Sequence, residues 1–487
     1  MITATRPRLQ RRRIPAVPAV VRGARMRNTP ERVRVLAAAA ICVTVALAAV
    51  TAVVFASVSD GLQVIGHQAA PEVTATTDLY FHLNDMDAQV ANVLLVGDQR
   101  GLGVGRAGAL NIYAQDRTQA DRALEQAGAV AGTSPSAGRA LRTVLDGLGR
   151  YEALAAQAIY IDGQRPGQPG RPPAAALTAY RQATDLMRTS ILPAAQDLTN
   201  AYAASLDATY QANRSSAEDG AAWLVLLGLA GVAILITLQL YVTLRHRRLL
   251  NPALALATLI VVVLAVAGAT SLAAQAGHLQ VAKKDAFDSI LALSEARAVS
   301  YDANADESRF LVDPGRAAQY QQAFLTKSLR LANVGQVAIF GYDAALARDI
   351  GAYHASHADV RFGGYLGAEF RNITFPGERA AAQRTLLAYQ VYERDDRHIR
   401  ALNTQGNLRG AIAFDTSYAP GNSNWAFGRY DSALVSVIKI NQDAFNQAVA
   451  AGQQGVRGWT WLIPGVAALL AIGAVLLGVG PRLAEYR

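Results

Sequence analysis

The sequence predicts an all-α membrane protein with four transmembrane helices and two extracytoplasmic, antiparallel four-helix bundles of the kind found in sensors. Two observations predict it: four long apolar runs, and two intervening segments in which apolar residues recur every three or four positions. A helix rises about 1.5 Å per residue, so about 20 apolar residues cross a hydrocarbon core of about 30 Å. The charge-free runs lie at 35–58, 222–244, 253–274 and 460–479.

Basic residues near the ends of these runs predict the orientation, because Lys and Arg are retained in short cytoplasmic segments during insertion. The arm 1–34, the hairpin 245–252 and the tail 480–487 together carry fifteen basic and two acidic residues. The long loops 59–221 and 275–459 carry 31 basic and 35 acidic residues. We therefore expect a multi-pass plasma-membrane protein with both termini in the cytoplasm and both long loops outside.

The net charge of +9 follows from this asymmetry and does not indicate a nucleic-acid-binding protein. The arginines of the arm are expected to contact anionic membrane lipid, each worth about 1 kcal/mol near the surface. The run 35–58 is longer than the about 7 to 15 apolar residues of a removable signal peptide, so we expect an uncleaved anchor. The single cysteine, Cys42, lies in this run, so the outer segments must fold without a disulfide. The excess of Arg over Lys is typical of a high-GC bacterium.

The sequence of the first long loop, 59–221, predicts four helices. An apolar stripe begins at Leu79, shorter helices are expected at about 111–130 and 138–162, and a Pro/Gly linker follows. The fourth helix keeps its stripe from Tyr180 almost to the second span. Pro193 lies inside it and is predicted to kink it, because proline lacks a backbone donor.

The second outer loop resembles a diverged copy of the first. Asp85–Gln89 aligns with Asp302–Asp306, and each segment starts about the same distance beyond its own span. We interpret this match as duplication of a span-bundle-span unit. Helices are predicted at about 278–313, 316–334, 377–405 and 423–454. The stretch 335–376 departs from the repeat, and we expect an extra helix with loops there.

Motifs for enzymatic chemistry are weak in this sequence. Gly103–Gly108 has the pattern G-x-G-x-x-G, but a dinucleotide site needs a preceding strand, and the preceding segment is predicted to be helical. His354 and His357 have helical spacing without a clear third ligand, so solvated histidines explain them better than a metal site. We predict no enzymatic activity, no cofactor and no metal.

A polar cluster on the predicted helix 278–313 is the one candidate sensor site. Its charges of both signs on successive turns could hold a small zwitterion through charge-assisted hydrogen bonds. The interpretation that the sequence favours is a solvated face with pairs at i, i+3 and i, i+4. The cluster consists of Arg297, Tyr301, Asp302, Asn304, Asp306, Glu307 and Arg309.

The spans carry no Asp, Glu, Lys, Arg or His, which disfavours a secondary transporter. Helices that continue from outer bundles into spans are typical of transmembrane signalling, in which a ligand or partner stabilises one of two arrangements. The predicted cytoplasmic segments are too short for an output domain. Output would therefore need a separate protein.

The chain resembles the GlnX-like four-pass proteins of actinobacteria, encoded near a glutamine-type solute-binding lipoprotein and the Ser/Thr protein kinase G. The resemblance rests on the whole topology and on four strings: Arg245–Pro252, Tyr301–Pro314, Asn372–Glu378 and Gly480–Arg487. It implies that an extracytoplasmic amino-acid-binding lipoprotein contacts the outer bundles and that the signal reaches a cytosolic Ser/Thr kinase.

The leading hypothesis is a non-enzymatic signal transducer between that lipoprotein and that kinase, with a homodimer left open. The alternatives are a cell-envelope scaffold, an accessory subunit of a transporter, and a direct small-molecule receptor. For each candidate docking residue taken singly, the sequence favours a role as positive-inside anchor over kinase docking. These candidates are Arg245, Arg247, Arg248, Arg482, Tyr486 and Arg487.

Overall fold

The structure is a computed structural model that describes residues 29–99, 101–128, 134–246 and 251–484. These residues are almost entirely helical and contain no strand, only an isolated bridge between Gln168 and Arg171. The predicted all-α class is therefore confirmed.

The described residues form fifteen α-helices. In chain order they are α1 (Thr29–Val64), α2 (Ala70–Val96), α3 (Gly105–Gly128), α4 (Pro135–Gln164), α5 (Ala174–Leu186), α6 (Leu192–His246), α7 (Pro252–Gln280), α8 (Asp288–Val312), α9 (Ala317–Leu331), α10 (Ile339–Ala355), α11 (Gly364–Asn372), α12 (Glu378–Thr404), α13 (Leu408–Thr416), α14 (Ser423–Val456) and α15 (Leu462–Ala484).

Four helical runs are long and apolar enough to cross a membrane, and each contains all or nearly all of one predicted span. These runs are Pro30–Val96, Ala174–Leu244, Pro252–Val312 and Leu462–Pro481. The first three extend well beyond the apolar stretch, so the predicted helical continuity between the apolar runs and the segments beside them is confirmed.

Three π-helical turns interrupt these long runs without ending them: Ile65–Ala69, Met187–Ile191 and Val281–Phe287. The second lies just before Pro193, where the sequence predicts a kink. A π-turn adds a residue to the turn and accommodates a proline that cannot donate a backbone hydrogen bond. The first and third each begin seven residues after a predicted span, which agrees with the duplication inferred from the sequence.

The chain divides into two compact units. The span unit comprises Met1–Val53, Gly220–Thr270 and Gly458–Arg487. Small residues bring its helices close together, since a Cβ placed on Gly228 would lie 2.5 Å from the Cβ of Ala265. Within the predicted hairpin, the Asn251 side chain donates to the carbonyl of Gly478 at 2.7 Å and accepts from the first backbone amides of α7.

The second compact unit, which we call the helical unit, comprises Val54–Asp219 and Ser271–Arg457. We refer to these two segments as its first and second halves. In the first half α2 packs on α3 and α4 packs on α5, and in the second half α8 packs on α9 and α12 packs on α14. The main contact between the halves is made by α2 and α8.

Helices α2 and α8 run parallel, because residue numbers rise together along their contacts. Arg297 lies over the ring of Phe81, and twelve residues further along α8 Arg309 contacts Asp87. Both halves therefore contribute to one continuous interior.

The second half matches the predicted helices within a few residues at α9, α12 and α14. The stretch 335–376 forms two helices, α10 and α11, where the sequence predicts one. Their aromatic and aliphatic residues complete the apolar core of the second half, and α13 is a further helix that was not predicted. The core residues contributed by this stretch include Tyr342, Tyr353, Phe362, Leu366 and Phe370.

Candidate functional site

The predicted polar cluster on α8 lies inside the helical unit. Asp306, Glu307 and Arg309 have no solvent exposure, and Asp302 is 7% exposed. The solvated face that the sequence favoured is wrong for these four residues, because α2, α9, α12 and α13 pack against α8. Burial of charges on this scale requires partners, and the structure supplies them.

Arg309 is the centre of the buried network. Its Nη2 and Nε atoms donate to Oδ2 of Asp87 at 2.8 and 3.1 Å. Its Nη1 atom donates to Oδ1 of Asp302 at 2.9 Å and to Oδ1 of Asp306 at 2.7 Å. The guanidinium group therefore joins α2 of the first half to α8 of the second through charge-assisted hydrogen bonds.

Lys327 of α9 is the second cation of the network. Its Nζ atom lies 2.7 Å from Oδ2 of Asp302 and 2.5 Å from Oδ2 of Asp306. Sequence reasoning missed this residue. One signal was available, since Lys327 is one of four lysines in the whole chain and follows the apolar pair Phe324-Leu325.

The ionisation of Asp302 depends on these cations. Burial raises the pKa of a carboxyl group, but Lys327 and Arg309 together hold the pKa of Asp302 below its usual range. Asp302 is thus a carboxylate at neutral pH. With Asp87 and Asp306 it places three acidic groups around two cations.

A second acidic group lies on the other side of α8, around Arg400 of α12. Arg400 pairs with Asp396 through two hydrogen bonds of 2.6 and 2.8 Å. Burial raises the pKa of Glu393 to about 8 and of Asp415 to about 7. Burial, together with the nearby carboxylates of Asp396 and Asp415, also raises the pKa of Glu307 well above its usual value. The negative charge of this acidic group is therefore reduced by protonation of its carboxyl groups as well as by the one cation, Arg400.

Ser308 connects the two halves beside this acidic group. Its Oγ atom lies 2.8 Å from Oδ1 of Asn92 on α2 and 3.0 Å from Oδ2 of Asp415 on α13. A hydroxyl carries one hydrogen and cannot donate to both acceptors. A protonated Asp415 that donates to Ser308, with Ser308 donating to Asn92, satisfies the geometry and agrees with the raised pKa of Asp415.

Of the remaining cluster residues, Arg297 and Tyr301 contact α2 nearer the start of α8, whereas Asn304 bonds within α8 and to α14. Arg297 donates to both oxygens of Asp431 at 2.6 and 3.1 Å, and its guanidinium lies 4.3 Å from the ring centre of Phe81. Tyr301 packs edge-on against Phe81. Asn304 donates to Glu307 at 3.1 Å.

The candidate docking residues for a kinase are only partly covered by the structure. Arg245 lies in the last turn of α6, and Arg482 lies near the end of α15. Arg247, Arg248, Tyr486 and Arg487 lie outside the described residues.

The motifs that the sequence argument set aside have ordinary structural roles. Gly103–Gly108 follows helix α2 and leads into α3, as predicted, and Gly103 and Gly105 have positive φ angles in that loop. His354 and His357 are both exposed, which confirms the solvated interpretation. The described residues contain no group of three or more His, Cys, Asp or Glu side chains arranged to hold a metal ion.

Comparison with known proteins gives one match. Residues 61–211 match a family model described as an actinobacterial sensor domain. The matched region contains α2 to α5 and Asp87, and it ends before the second half, which supplies Arg309. No curated protein and no solved structure matches the chain.

The sensor-domain match indicates a sensing or signalling role, and the four apolar helices indicate a multi-pass membrane protein. Together these features fit an actinobacterial sensor transmembrane protein.

Proposed function

We propose that this protein is a transmembrane signal transducer that relays the state of an extracytoplasmic amino-acid-binding lipoprotein to a cytosolic Ser/Thr protein kinase. In this proposal the helical unit faces outward, the basic segments face the cytoplasm, and the protein itself catalyses no reaction. The match to a sensor domain supports the sensing part, and the resemblance of the whole sequence to GlnX-like proteins supports the choice of partners.

The observation that carries the proposal is the buried pair between Arg309 and Asp87. Asp87 lies on the helical run Pro30–Val96, and Arg309 lies on the run Pro252–Val312. Each run contains one candidate span. Separating α2 from α8 would leave the buried carboxylate of Asp87 without its cation, so the two helices move together or the pair breaks at high cost.

Such a contact suits a two-state relay. A partner that binds one arrangement of α2 and α8 more tightly shifts the population toward it, by no more than the difference in binding free energy. The two helical runs are then the elements that carry the change toward the spans.

The first test replaces residues 482–487 with neutral residues in cells that contain the kinase. We expect phosphorylation of the kinase's substrates to lose its dependence on added amino acids, while membrane insertion stays unchanged. Insertion is checked with reporters fused after residue 300 and at the C-terminus. Unchanged coupling would rule out the tail as the docking segment.

A second test asks whether partners respond to amino acids at all. Crosslinking in native membranes, with and without glutamate, aspartate or glutamine, should capture a solute-binding lipoprotein and a kinase in amounts that depend on the amino acid. Constant capture of envelope or transporter proteins would instead support the scaffold or accessory-subunit alternative.

A further inference from the structure

A polar cleft of about 290 Å³ lies beside the buried network. Four elements of the helical unit form its walls: α2, the π-turn Met187–Ile191 with the start of α6, α8 and α9. Its volume is at the lower end of the range for small-molecule sites. The lining residues are Tyr80, Arg188, Leu192, Pro193, Gln196, Asp302 and Arg330.

Two guanidinium groups in this cleft are available to an anion, although Glu295 lies near Arg330 and also accepts from Gln196 at 3.3 Å. Among the described residues, neither Arg188 nor Arg330 forms a salt bridge. Arg330 donates to the hydroxyl of Tyr365 at 3.0 Å, and Arg188 lies 5.5 Å from the ring centre of Tyr320. This contrasts with Arg181 and Arg316 near the same end of the unit, which pair with Asp313 and Asp185.

The third charged residue of the lining, Asp302, is already compensated. Arg309 occupies its Oδ1 atom and Lys327 its Oδ2 atom. Its negative charge therefore offsets little of the positive charge of Arg188 and Arg330. The cleft presents two guanidinium groups and the Tyr80 hydroxyl to a ligand, while the Gln196 amide nitrogen already donates to Asn200 and Glu295.

We propose that this cleft binds a small dicarboxylate, with one carboxylate at Arg188 and the other at Arg330. The planar guanidinium fork matches a carboxylate in two parallel hydrogen bonds. The two arginines come from different elements, a π-turn and α9, which suits an anion with two separate charged ends better than a compact one such as phosphate. Leu192 and Pro193 provide apolar surface for the carbon chain between the carboxylates.

The position of the cleft connects it to the network. Asp302 contributes to both, and its side chain is 10% exposed whereas those of Asp306 and Arg309 have no exposure. Arg188 lies in a π-turn, a local distortion that frequently marks functional sites. A dicarboxylate at this position would bridge the helical run of the second span to α8 and α9.

The test is isothermal titration calorimetry on the purified full-length protein in lipid nanodiscs. Succinate and glutarate are the probes, and acetate and inorganic phosphate are the comparison anions. We expect at least one dicarboxylate to bind at least tenfold more tightly than acetate or phosphate. Binding of phosphate alone, equal binding of acetate, or no binding by either dicarboxylate would overturn the proposal.

Variants locate the site. Arg188→Gln and Arg330→Gln should each weaken dicarboxylate binding at least tenfold, whereas Arg384→Gln, an exposed arginine on α12, should leave it unchanged. Each variant's unfolding temperature checks its fold. Undiminished binding by folded R188Q and R330Q would place the site elsewhere and overturn the assignment.

This site goes beyond the proposed relay and can be tested apart from it. The calorimetry uses neither lipoprotein nor kinase. A negative result therefore leaves the relay proposal intact, and loss of kinase coupling in the tail variant says nothing about the cleft.

Discussion

Asp85 and Asp302 occupy matching positions in the two halves of the helical unit, yet their environments have opposite effects. Burial, together with the neighbouring carboxyl of Asp116, raises the pKa of Asp85 well above its usual value. At Asp302, Lys327 and Arg309 outweigh burial and lower the pKa. Similar helices with the same residue type thus hold a proton in the first half and a negative charge in the second.

The difference comes from the helix that packs alongside. Helix α3 brings Asp116 to α2, and α9 brings Lys327 to α8. In the alignment of the halves, Asn92 takes the place of Arg309. In terms of the duplication inferred from the sequence, the second half has the cation at this position and the first half has its acceptor, Asp87. The halves consequently depend on each other for charge compensation.

The largest expected effect tests this dependence. Arg309→Met leaves Asp87, Asp302 and Asp306 buried with one cation, so the free energy of unfolding should fall by about 3 to 5 kcal/mol. Asn92→Ala at the matching position should cost about 1 kcal/mol, because it removes only neutral hydrogen bonds. Denaturant unfolding of the full-length protein in nanodiscs measures both. Equal losses would contradict the central role assigned to Arg309.

The second prediction compares the matched aspartates directly. Asp302→Asn loses charge-assisted hydrogen bonds to Lys327 and Arg309 and should lower the free energy of unfolding by about 2 kcal/mol at pH 8. Asp85→Asn removes a carboxyl group that the fold disfavours in its charged form, so stability at pH 8 should be unchanged or higher. The same unfolding assay applies, and a loss of similar size for both variants would show that their environments do not differ.

The third prediction concerns pH. Burial raises the pKa of Glu369 to about 8, with the nearby Glu378 adding to the effect. A carboxyl whose pKa is higher in the folded state stabilises the fold below its unfolded pKa, and this contribution is lost as pH rises toward the folded value. Stability should therefore fall between pH 5 and pH 8. One pKa unit corresponds to about 1.4 kcal/mol.

Glu369→Gln should reduce the fall in the free energy of unfolding between pH 5 and pH 8 by at least about 1.4 kcal/mol. The exposed Glu125→Gln on α3 provides the control and should leave the slope unchanged. Unfolding temperature measured from pH 5 to pH 8 is the readout. A slope unaffected by Glu369→Gln would mean that this carboxyl is charged in the folded protein.

The prediction with the smallest expected effect compares one glycine from each half of the helical unit. Gly364 and Gly101 both have positive φ angles, of 70° and 77°. A Cβ on Gly364 would lie 2.4 Å from the carbonyl oxygen of Arg330, whereas a Cβ on Gly101 would meet nothing within 4 Å. Gly101→Ala should cost about 1 kcal/mol from backbone strain alone, and Gly364→Ala should cost more. Unfolding temperatures of the two variants test this order.

Much of the fold could be predicted because its signals are local. The spans follow from apolar length, and α9, α12 and α14 follow from helical periodicity and terminating residues. The polar residues on α8 are recognised as a cluster from their charges alone. Their burial could not be predicted, since a helix with charges on several faces has the same pattern whether water or α2 and α9 surround it.

The amino-acid sequence by itself determined the all-α class, the four apolar runs and the basic segments beside them, because hydrocarbon length and charge exclusion act on contiguous residues. Only the tertiary structure decided that Asp87 meets Arg309, that Lys327 meets Asp302 and Asp306, and that Arg188 and Arg330 share a cleft with Asp302. These contacts join residues that are distant in sequence, and their partners are selected by the packing of whole helices.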